Sequence, residues 1–416
     1  MRETYDALLD LFPWEGGRPA AYVLVKQTYT IAGETCVLAP PRPLFHDLRD
    51  ETLAPRLRPG TDYWPHKQAT DFVVRGAACA PGGKPVSAMT VSAGLGGASK
   101  RIAVFGRRAI RWTAAGAPVI GEPEPFTRVP ITYENAYGGV DARVRPGAEV
   151  SPPQAAMAAM RIDHPGMYPR NPYGKGYLVL AGPLPGAEMP NLEDPADLLA
   201  PERLASGDPA RWYERPLPAC FDWVPAMTFP RYHFFGPRVD PWFPAPDDAR
   251  LPEVRLGILP AGYRSGRPTG VAPRFFQEAP PGFVLADVRG DEPVRIEGMH
   301  PERAAITFRL PGPPPAVEFS IEGRRAAVPV RTHSVVVEPE AGELYLLYAA
   351  TVELPRPFLP GVHKYIPIEV SIGNDRPIAY EPPPTVRDQL AAAGAQTRPV
   401  ATQPAAPPRA ANRGGE

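Results

Sequence analysis

Prolines occur along almost the whole chain, and they limit its fold more than any other feature does. The sequence contains 60 Pro and 38 Gly among 416 residues. Because proline lacks a backbone N–H and clashes with the preceding helical turn, this density disfavours long helices and favours short strands between turns. The hydrophobic content of 44% is enough to build substantial cores. We therefore expect an ordered, mainly β protein with few short helices and long proline-rich loops.

Strand patterns at regular intervals dominate the last third of the chain. Short runs of β-branched and aromatic residues are separated by turns that contain Gly or Pro, with no helical pattern between them. This spacing is typical of antiparallel sheets in a sandwich or barrel-like arrangement. Strands are predicted at residues 293–296, 305–310, 316–321, 327–330, 334–338 and 344–352.

Two hairpins are predicted earlier in the chain. Residues 21–38 are rich in Val, Thr and Tyr and turn at Gly33. Residues 102–105 and 109–112 are separated by Gly106, which predicts a second hairpin with a glycine turn.

Changes in composition suggest three units. Residues 1–250 form an N-terminal β-rich unit, residues 251–380 a C-terminal antiparallel β domain, and residues 381–416 a tail. The tail has scarcely any large apolar residue, so we expect most of it to be disordered. Capping patterns predict short helices at 152–161 and 385–393.

Charge and cysteine content point to a protein that stays in the cytoplasm. The 45 basic and 45 acidic residues cancel, so no basic field attracts nucleic acid or an anionic membrane. Three widely separated cysteines make a disulfide framework improbable and fit a reducing compartment. Acidic residues among the first ten argue against a secretory signal, and no apolar run approaches the length of a membrane span. We expect neither nucleic acid nor membrane as a partner.

Catalytic and metal-binding patterns are weak. The seven histidines are scattered singly and lack the short spacings of zinc sites. Asp62, His66 and Asp71 lie close in sequence, as do Asp163 and His164, but single titratable pairs are common in ordinary folds. We expect no catalytic residue, no cofactor and no metal. The alternative is a β-sandwich hydrolase or carbohydrate-active enzyme that uses scattered carboxylates.

A polar and aromatic stretch at residues 133–139, followed by a similar loop at residues 171–177, is the best candidate for a binding site. Aromatic and polar groups on loops frequently serve recognition. In a second interpretation the tyrosines pack in the core while Glu134 and Asn135 satisfy buried backbone groups. The candidate protein-binding residues are Tyr133, Glu134, Asn135, Tyr137, Asn171 and Tyr173.

Short motifs along residues 12–352 form an ordered series. They include Lys26-Gln27-Thr28-Tyr29, Gly60-Thr61-Asp62, Phe126-Thr127-Arg128, Tyr133-Glu134-Asn135-Ala136-Tyr137-Gly138-Gly139, Arg170-Asn171-Pro172-Tyr173-Gly174-Lys175-Gly176-Tyr177, Leu192-Glu193-Asp194-Pro195, Pro273-Arg274-Phe275-Phe276 and Val335-Val336-Val337-Glu338-Pro339. Together they resemble the successive signatures of a bacterial domain of unknown function, whose genes accompany those of the VgrG spike and PAAR tip proteins of type VI secretion.

This resemblance implies a non-catalytic adaptor or chaperone. Such a cytoplasmic protein would hold a secreted effector and assist its loading onto the spike, with the effector and VgrG, PAAR or both as partners. It implies no catalytic residue and no cofactor. The chain departs from the family pattern at Gln277-Glu278, where Asn-Ala is usual.

Overall fold

The computed structural model describes residues 3–13, 19–44, 62–64, 67–144, 166–225, 228–231, 276–286, 288–355 and 366–381. In these segments the protein is mainly β, as predicted, with short 3-10 helices at Pro81–Gly83, Pro201–Arg203 and Pro209–Glu214. The helices predicted at 152–161 and 385–393 lie outside the described residues, as does the predicted tail from residue 382 onward. No helix among the described residues is long and apolar enough to cross a membrane.

The strands follow one another along the chain with no long helix between them in the described segments. They are β1 (Asp6–Pro13), β2 (Pro19–Ala32), β3 (Thr35–Ala39), β4 (Thr70–Val74), β5 (Ala77–Cys79), β6 (Ala88–Leu95), β7 (Ala98–Phe105), β8 (Ile110–Trp112), β9 (Pro118–Ile120), β10 (Arg128–Pro130), β11 (Tyr137–Gly138), β12 (Lys175–Gly176), β13 (Leu192–Glu193), β14 (Val284–Leu285), β15 (Pro293–Glu297), β16 (Ala305–Arg309), β17 (Val317–Ile321), β18 (Arg324–Val328), β19 (Arg331–Glu338), β20 (Glu343–Glu353), β21 (Ile368–Ile372) and β22 (Ile378–Ala379).

The largest sheet has seven strands in the order β1-β2-β20-β19-β4-β14, and β3 also pairs with β2. Its pairs are antiparallel except that β4 runs parallel to β19. The long strands β2 and β20 lie near its centre, and residues 20–25 are all buried. A strand covered on both faces needs a continuous apolar run, which the sequence of β2 supplies.

Two further sheets are wholly antiparallel. The order of the five-stranded sheet is β13-β7-β6-β15-β16, and that of the four-stranded sheet is β18-β17-β21-β22. Buried and exposed residues alternate along β16, as expected of a strand with one face on the core. Each sheet keeps two edges in the described part of the chain, so none of them closes into a barrel.

One hydrophobic core joins the three larger sheets. It includes Val23 from the seven-stranded sheet, Val104 from the five-stranded sheet and Phe319 from the four-stranded sheet. The seven-stranded and five-stranded sheets each contain strands from both sides of residue 250, where a domain boundary was predicted. That boundary therefore separates strands that share a sheet, and the division into units stays a prediction.

The observed strands confirm the hairpin at Gly33 and correct two other predictions. The strand predicted at 327–330 is β18, which begins three residues earlier at Arg324 because Glu322 and Gly323, with φ of 51° and 81°, form the turn before it. The hairpin predicted across Gly106 is wrong, since β7 pairs with β6 and β13 whereas β8 pairs with β9. A Cβ on Gly106 would lie 1.7 Å from the Glu124 carbonyl oxygen, so this glycine permits a close backbone contact instead of a hairpin turn.

Four charged side chains form an ion network in the interior. Lys67 Nζ lies 2.6 Å from Asp71 Oδ2 and 3.3 Å from Glu278 Oε2. Arg231 Nη2 lies 3.3 Å from Glu278 Oε1. All four side chains are at most 4% exposed. Asp71 also accepts hydrogen bonds from the Gln277 side-chain amide at 2.7 Å and the Glu278 backbone N–H at 2.8 Å. Two cations thus balance two carboxylates out of contact with water.

We predict that Glu278→Gln destabilises the protein strongly, by about 3–5 kcal/mol, because it leaves a buried positive charge without its counter-charge. The measurement is the free energy of unfolding from urea titration. Asp197→Asn is the matched control, since it neutralises a partly exposed carboxylate that pairs with Arg203 and should cost less than about 1 kcal/mol. Equal losses in the two variants would contradict the assignment of the network as a structural centre.

Candidate functional site

The loops at residues 133–139 and 171–177 lie against each other. Their short strands β11 and β12 pair in parallel, with Tyr137 opposite Lys175 and Gly138 opposite Gly176. The Gly139 N–H donates to the Asn171 carbonyl oxygen at 2.8 Å, and the Tyr177 N–H donates to the Gly138 carbonyl oxygen at 2.9 Å. Two segments more than thirty residues apart in sequence therefore form one structural unit.

Glycine is required where the backbones of the two loops cross. A Cβ on Gly138 would lie 2.1 Å from the Asn171 carbonyl oxygen. A Cβ on Gly174 would lie 2.4 Å from the Ala136 carbonyl oxygen. Real Cβ atoms do not approach backbone atoms so closely, so the glycines of both motifs have a packing role.

The Asn171 side chain connects the two loops through hydrogen bonds inside the crossing. Its Nδ2 donates to the carbonyl oxygens of Tyr133 at 2.7 Å and Tyr137 at 3.1 Å. Asn171 is fully buried, so these contacts satisfy carbonyl groups that lack access to water. An apolar residue here would leave both carbonyl groups without this donor.

Tyrosine rings form the centre of a smaller hydrophobic cluster beneath the loops. The centroid of the Tyr168 ring lies 5.2 Å from that of Tyr137 and 5.1 Å from that of Tyr177. Trp212 and Phe229 belong to the same cluster, with ring centroids 5.0 Å apart. Burial raises the pKa of the Tyr137 hydroxyl well above its usual value, so this side chain is neutral at pH 7.

The structure therefore divides the six candidate residues into two groups. Tyr133, Tyr137 and Asn171 are buried, which agrees with the packing interpretation of the sequence. Glu134, Asn135 and Tyr173 are partly exposed at the edge of the crossing. Only this second group can meet a partner without rearrangement, and partner contact stays a prediction for all six.

Asn135 also positions a neighbouring segment. Its carbonyl oxygen accepts hydrogen bonds from the backbone N–H groups of Asn191 at 2.8 Å and Leu192 at 3.0 Å. Its side-chain Nδ2 donates to the Pro130 carbonyl oxygen at 3.0 Å. The motif that begins at Leu192 is thus attached directly to the motif at residues 133–139.

Glu134 belongs to a group of charges that no sequence pattern indicates. Its negative charge adds to burial in raising the pKa of the Tyr173 hydroxyl. It also helps to raise the pKa of Asp222, which burial and the charges of Glu134 and Glu338 shift from 3.8 to about 6. We call Glu134, Tyr173, Asp222 and Glu338 the acidic patch.

Arg75 is the cation of this patch. Its Nε lies 3.5 Å from Asp222 Oδ1, and its Nη1 donates to Glu338 Oε1 at 2.9 Å. The arginine opposes the rise in the pKa of Asp222 without cancelling it. Arg75 lies between β4 and β5, Asp222 lies just before residue 225, and Glu338 is the last residue of β19. Because these positions are far apart in sequence, no local pattern could have linked them.

Two of the residues considered for catalysis, Asp62 and Asp71, take part in buried ion pairs. Asp62 forms a buried ion pair with Lys26 at 2.8 Å, and Asp71 belongs to the ion network. His66, Asp163 and His164 lie outside the described residues. Among the residues that the structure describes, no group of three His, Cys, Asp or Glu side chains could hold a metal ion.

One hydroxyl does lie against a histidine. Ser334 Oγ is 2.9 Å from His333 Nδ1, and His333 Nε2 is 3.1 Å from the Trp64 carbonyl oxygen. Since a carbonyl oxygen only accepts, Nε2 carries the proton and Nδ1 accepts from the serine. Burial and the Lys67 charge hold the pKa of His333 well below its usual value. Both side chains are at most 2% exposed, so a substrate has no access to them in this structure.

Fold and site together define a mainly β protein with a compact loop crossing and an acidic patch at its edge. The chain belongs to a bacterial protein family, DUF2169, described as an uncharacterized protein conserved in bacteria, and the match covers residues 16–349. The resemblance to a bacterial domain of unknown function is therefore confirmed at the level of the family. No curated protein and no solved structure matches the chain significantly.

We predict a pH-dependent stability that originates at Asp222. Because its pKa is raised to about 6 in the folded protein, a proton held there stabilises the fold at low pH, and this contribution is lost as the pH rises through 6. Relative to Asp222→Asn, the wild type should lose roughly 1–3 kcal/mol of unfolding free energy between about pH 4 and 7.

Urea titrations at several pH values measure this difference. Asp291→Asn, which changes an exposed carboxylate, is the control and should follow the wild type. Parallel stability curves for the wild type and Asp222→Asn would contradict the raised pKa.

Proposed function

We propose that this protein is a non-catalytic cytoplasmic adaptor that binds a type VI secretion effector and assists its loading onto the VgrG/PAAR spike. The observation that carries the proposal is the ordered series of motifs along residues 12–352, which resembles adaptor proteins encoded beside VgrG and PAAR genes. Membership of a bacterial family over residues 16–349 supports the bacterial part of that resemblance.

The geometry of the motifs supports binding more than chemistry. The motif residues Asn171, Gly138 and Gly174 hold a backbone crossing, and they leave Glu134 and Tyr173 at its edge. Rigid support beneath a few polar and aromatic groups is the arrangement expected of a recognition surface.

The buried carboxylates also favour binding over catalysis. Asp62, Asp71, Asp141 and Glu278 each lie beside a cation, and all four are at most 6% exposed. Carboxylates committed to internal ion pairs are poorly placed to act on a substrate. The partly exposed Glu134, Asn135 and Tyr173 are left as candidates for partner recognition.

Affinity purification tests the proposal. The tagged protein is purified from its own host, and the proteins that stay bound are identified by mass spectrometry. We expect recovery of one effector together with a VgrG or PAAR protein, and we expect the spike component to be lost when the effector gene is deleted.

Glu134→Lys should lower effector recovery by about tenfold, because it reverses the charge beside Tyr173 and Asp222. Glu302→Lys is the matched control at an exposed carboxylate between β15 and β16, and it should retain the effector. A monodisperse protein that carries neither effector nor spike component would contradict the adaptor role and favour a hydrolase.

A further inference from the structure

The strand β18 offers an open edge for another chain. Among the described strands it pairs with β17 alone, so it forms one border of the four-stranded sheet. Four of its five residues are exposed and the last is half-buried. An exposed edge strand presents unpaired backbone groups and is a natural template for strand addition.

Other edges in the described part of the chain are shorter or have neighbours. The border strands β13, β14 and β22 span two residues each. The strand β16 is close to β3, where the Arg309 N–H donates to the Glu34 carbonyl oxygen at 3.2 Å. Asp6 and Asp10 of β1 accept hydrogen bonds from Leu44 and Tyr63. The strand β18 also comes close to β20, but no described strand pairs with its outer edge. We therefore regard β18 as an open edge of the described structure.

The hydrogen-bond alternation shows which groups of β18 face outward. β17 pairs with β21 along its other edge. There the Gly373 N–H donates to the Ala316 carbonyl oxygen, and the Glu322 N–H donates to the Pro367 carbonyl oxygen. Even-numbered residues from 316 to 322 therefore hydrogen-bond toward β21. Odd-numbered residues then bond toward β18, where residues 324, 326 and 328 are their partners. The N–H and C=O groups of Arg325 and Ala327 consequently point away from the sheet.

The side chains of β18 leave room for an additional strand. Ala326 lies opposite Phe319, and Val328 lies opposite Val317, on the face that continues the core. Phe319 and Val317 are buried, whereas Ala326 is exposed. An added strand with an apolar inner face would cover Ala326 and Val328 and extend the core by one strand.

The charges of β18 favour an acidic partner. Arg324 and Arg325 are exposed, and β18 itself carries no acidic residue. Arg325 Nη1 lies 3.5 Å from Glu318 Oε1, but its side chain is 75% exposed and remains accessible. Arg324 lies opposite Ile321 on the core face, and Arg325 lies opposite Ser320 on the outer face. A second copy of β18 paired around Arg325 would bring two like charges together, which opposes that self-pairing. A strand with acidic outer residues would instead complement Arg325.

We propose that an extended acidic segment of another protein adds to β18 as a fifth strand, with apolar side chains on the core face and carboxylates beside Arg325. Strand addition stands on the geometry of β18. That this segment belongs to the effector rests on the proposed function.

A defined probe tests strand addition without knowledge of the natural partner. The probe is a fluorescent peptide of about eight residues that alternates valine with glutamate, a length typical of a strand. The comparison peptide has lysine in place of glutamate. Fluorescence anisotropy against the full chain should show that the glutamate peptide binds at least about tenfold more tightly than the lysine peptide.

Two substitutions at one position separate backbone pairing from other contacts. Ala327→Pro removes the outward N–H and should weaken binding of the glutamate peptide about tenfold, whereas Ala327→Thr keeps the N–H and should bind as the wild type does. An edge strand tolerates proline where the N–H faces solvent, so both variants should fold, as checked by circular dichroism.

Charge reversal gives an independent readout if Ala327→Pro fails to fold. The double substitution R324E/R325E should favour the lysine peptide over the glutamate peptide. Equal binding to both peptides by the wild type, or equal binding by the two variants at position 327, would overturn the proposal.

Self-association is a separate outcome. A wild-type dimer that becomes monomeric in Ala327→Pro, measured by sedimentation velocity, would overturn the proposal and assign β18 to contact with a second copy. Because the peptide probe is synthetic, absence of peptide binding would not change the result expected of the affinity purification. Absence of an effector from the purified sample would likewise leave the peptide-binding test valid.

Discussion

The pairing of Lys67 with Asp71 and Glu278 inside the protein is the interaction on which the rest of the fold depends. Burial of charge is costly, and it is tolerated here because each carboxylate faces a cation and also takes part in hydrogen bonds. The network links the start of β4 to the segment before β14, and Lys67 Nζ donates to Ser334 of β19. Arg231 attaches a further segment through Glu278. Distant parts of the chain are thus held in one arrangement.

Gln277 and Glu278, where the resemblance implied Asn-Ala, take part in this network. Gln277 donates to Asp71, and Glu278 supplies the second carboxylate between Lys67 and Arg231. A chain with Asn-Ala at these positions would lack the carboxylate at position 278 and would need another way to balance the two cations. This pair therefore serves the interior of this protein.

Local patterns predicted much of the fold, but not its long-range pairing. Strand composition and glycine turns correctly indicated the β2–β3 hairpin and the strands from β15 to β20 except for the bounds of β18, because those signals lie within a few residues of each other. The parallel pairing of β4 with β19, about 260 residues apart, left no local signal. At the candidate site the sequence named two loops that the structure brings together, and their contact with a partner stays a prediction. It could not separate buried Tyr137 from partly exposed Tyr173, because both occur in the same kind of motif, and it could not bring Asp222 to Glu134.

If the protein delivers an effector, as proposed, secretion of that effector depends on this gene. Effector secretion is measured in cells that lack the gene and in the same cells carrying the wild-type gene. We predict that the deletion strain still secretes VgrG but no longer secretes the effector, and that the wild-type gene restores it. Undiminished secretion of every effector by the deletion strain would contradict the delivery role.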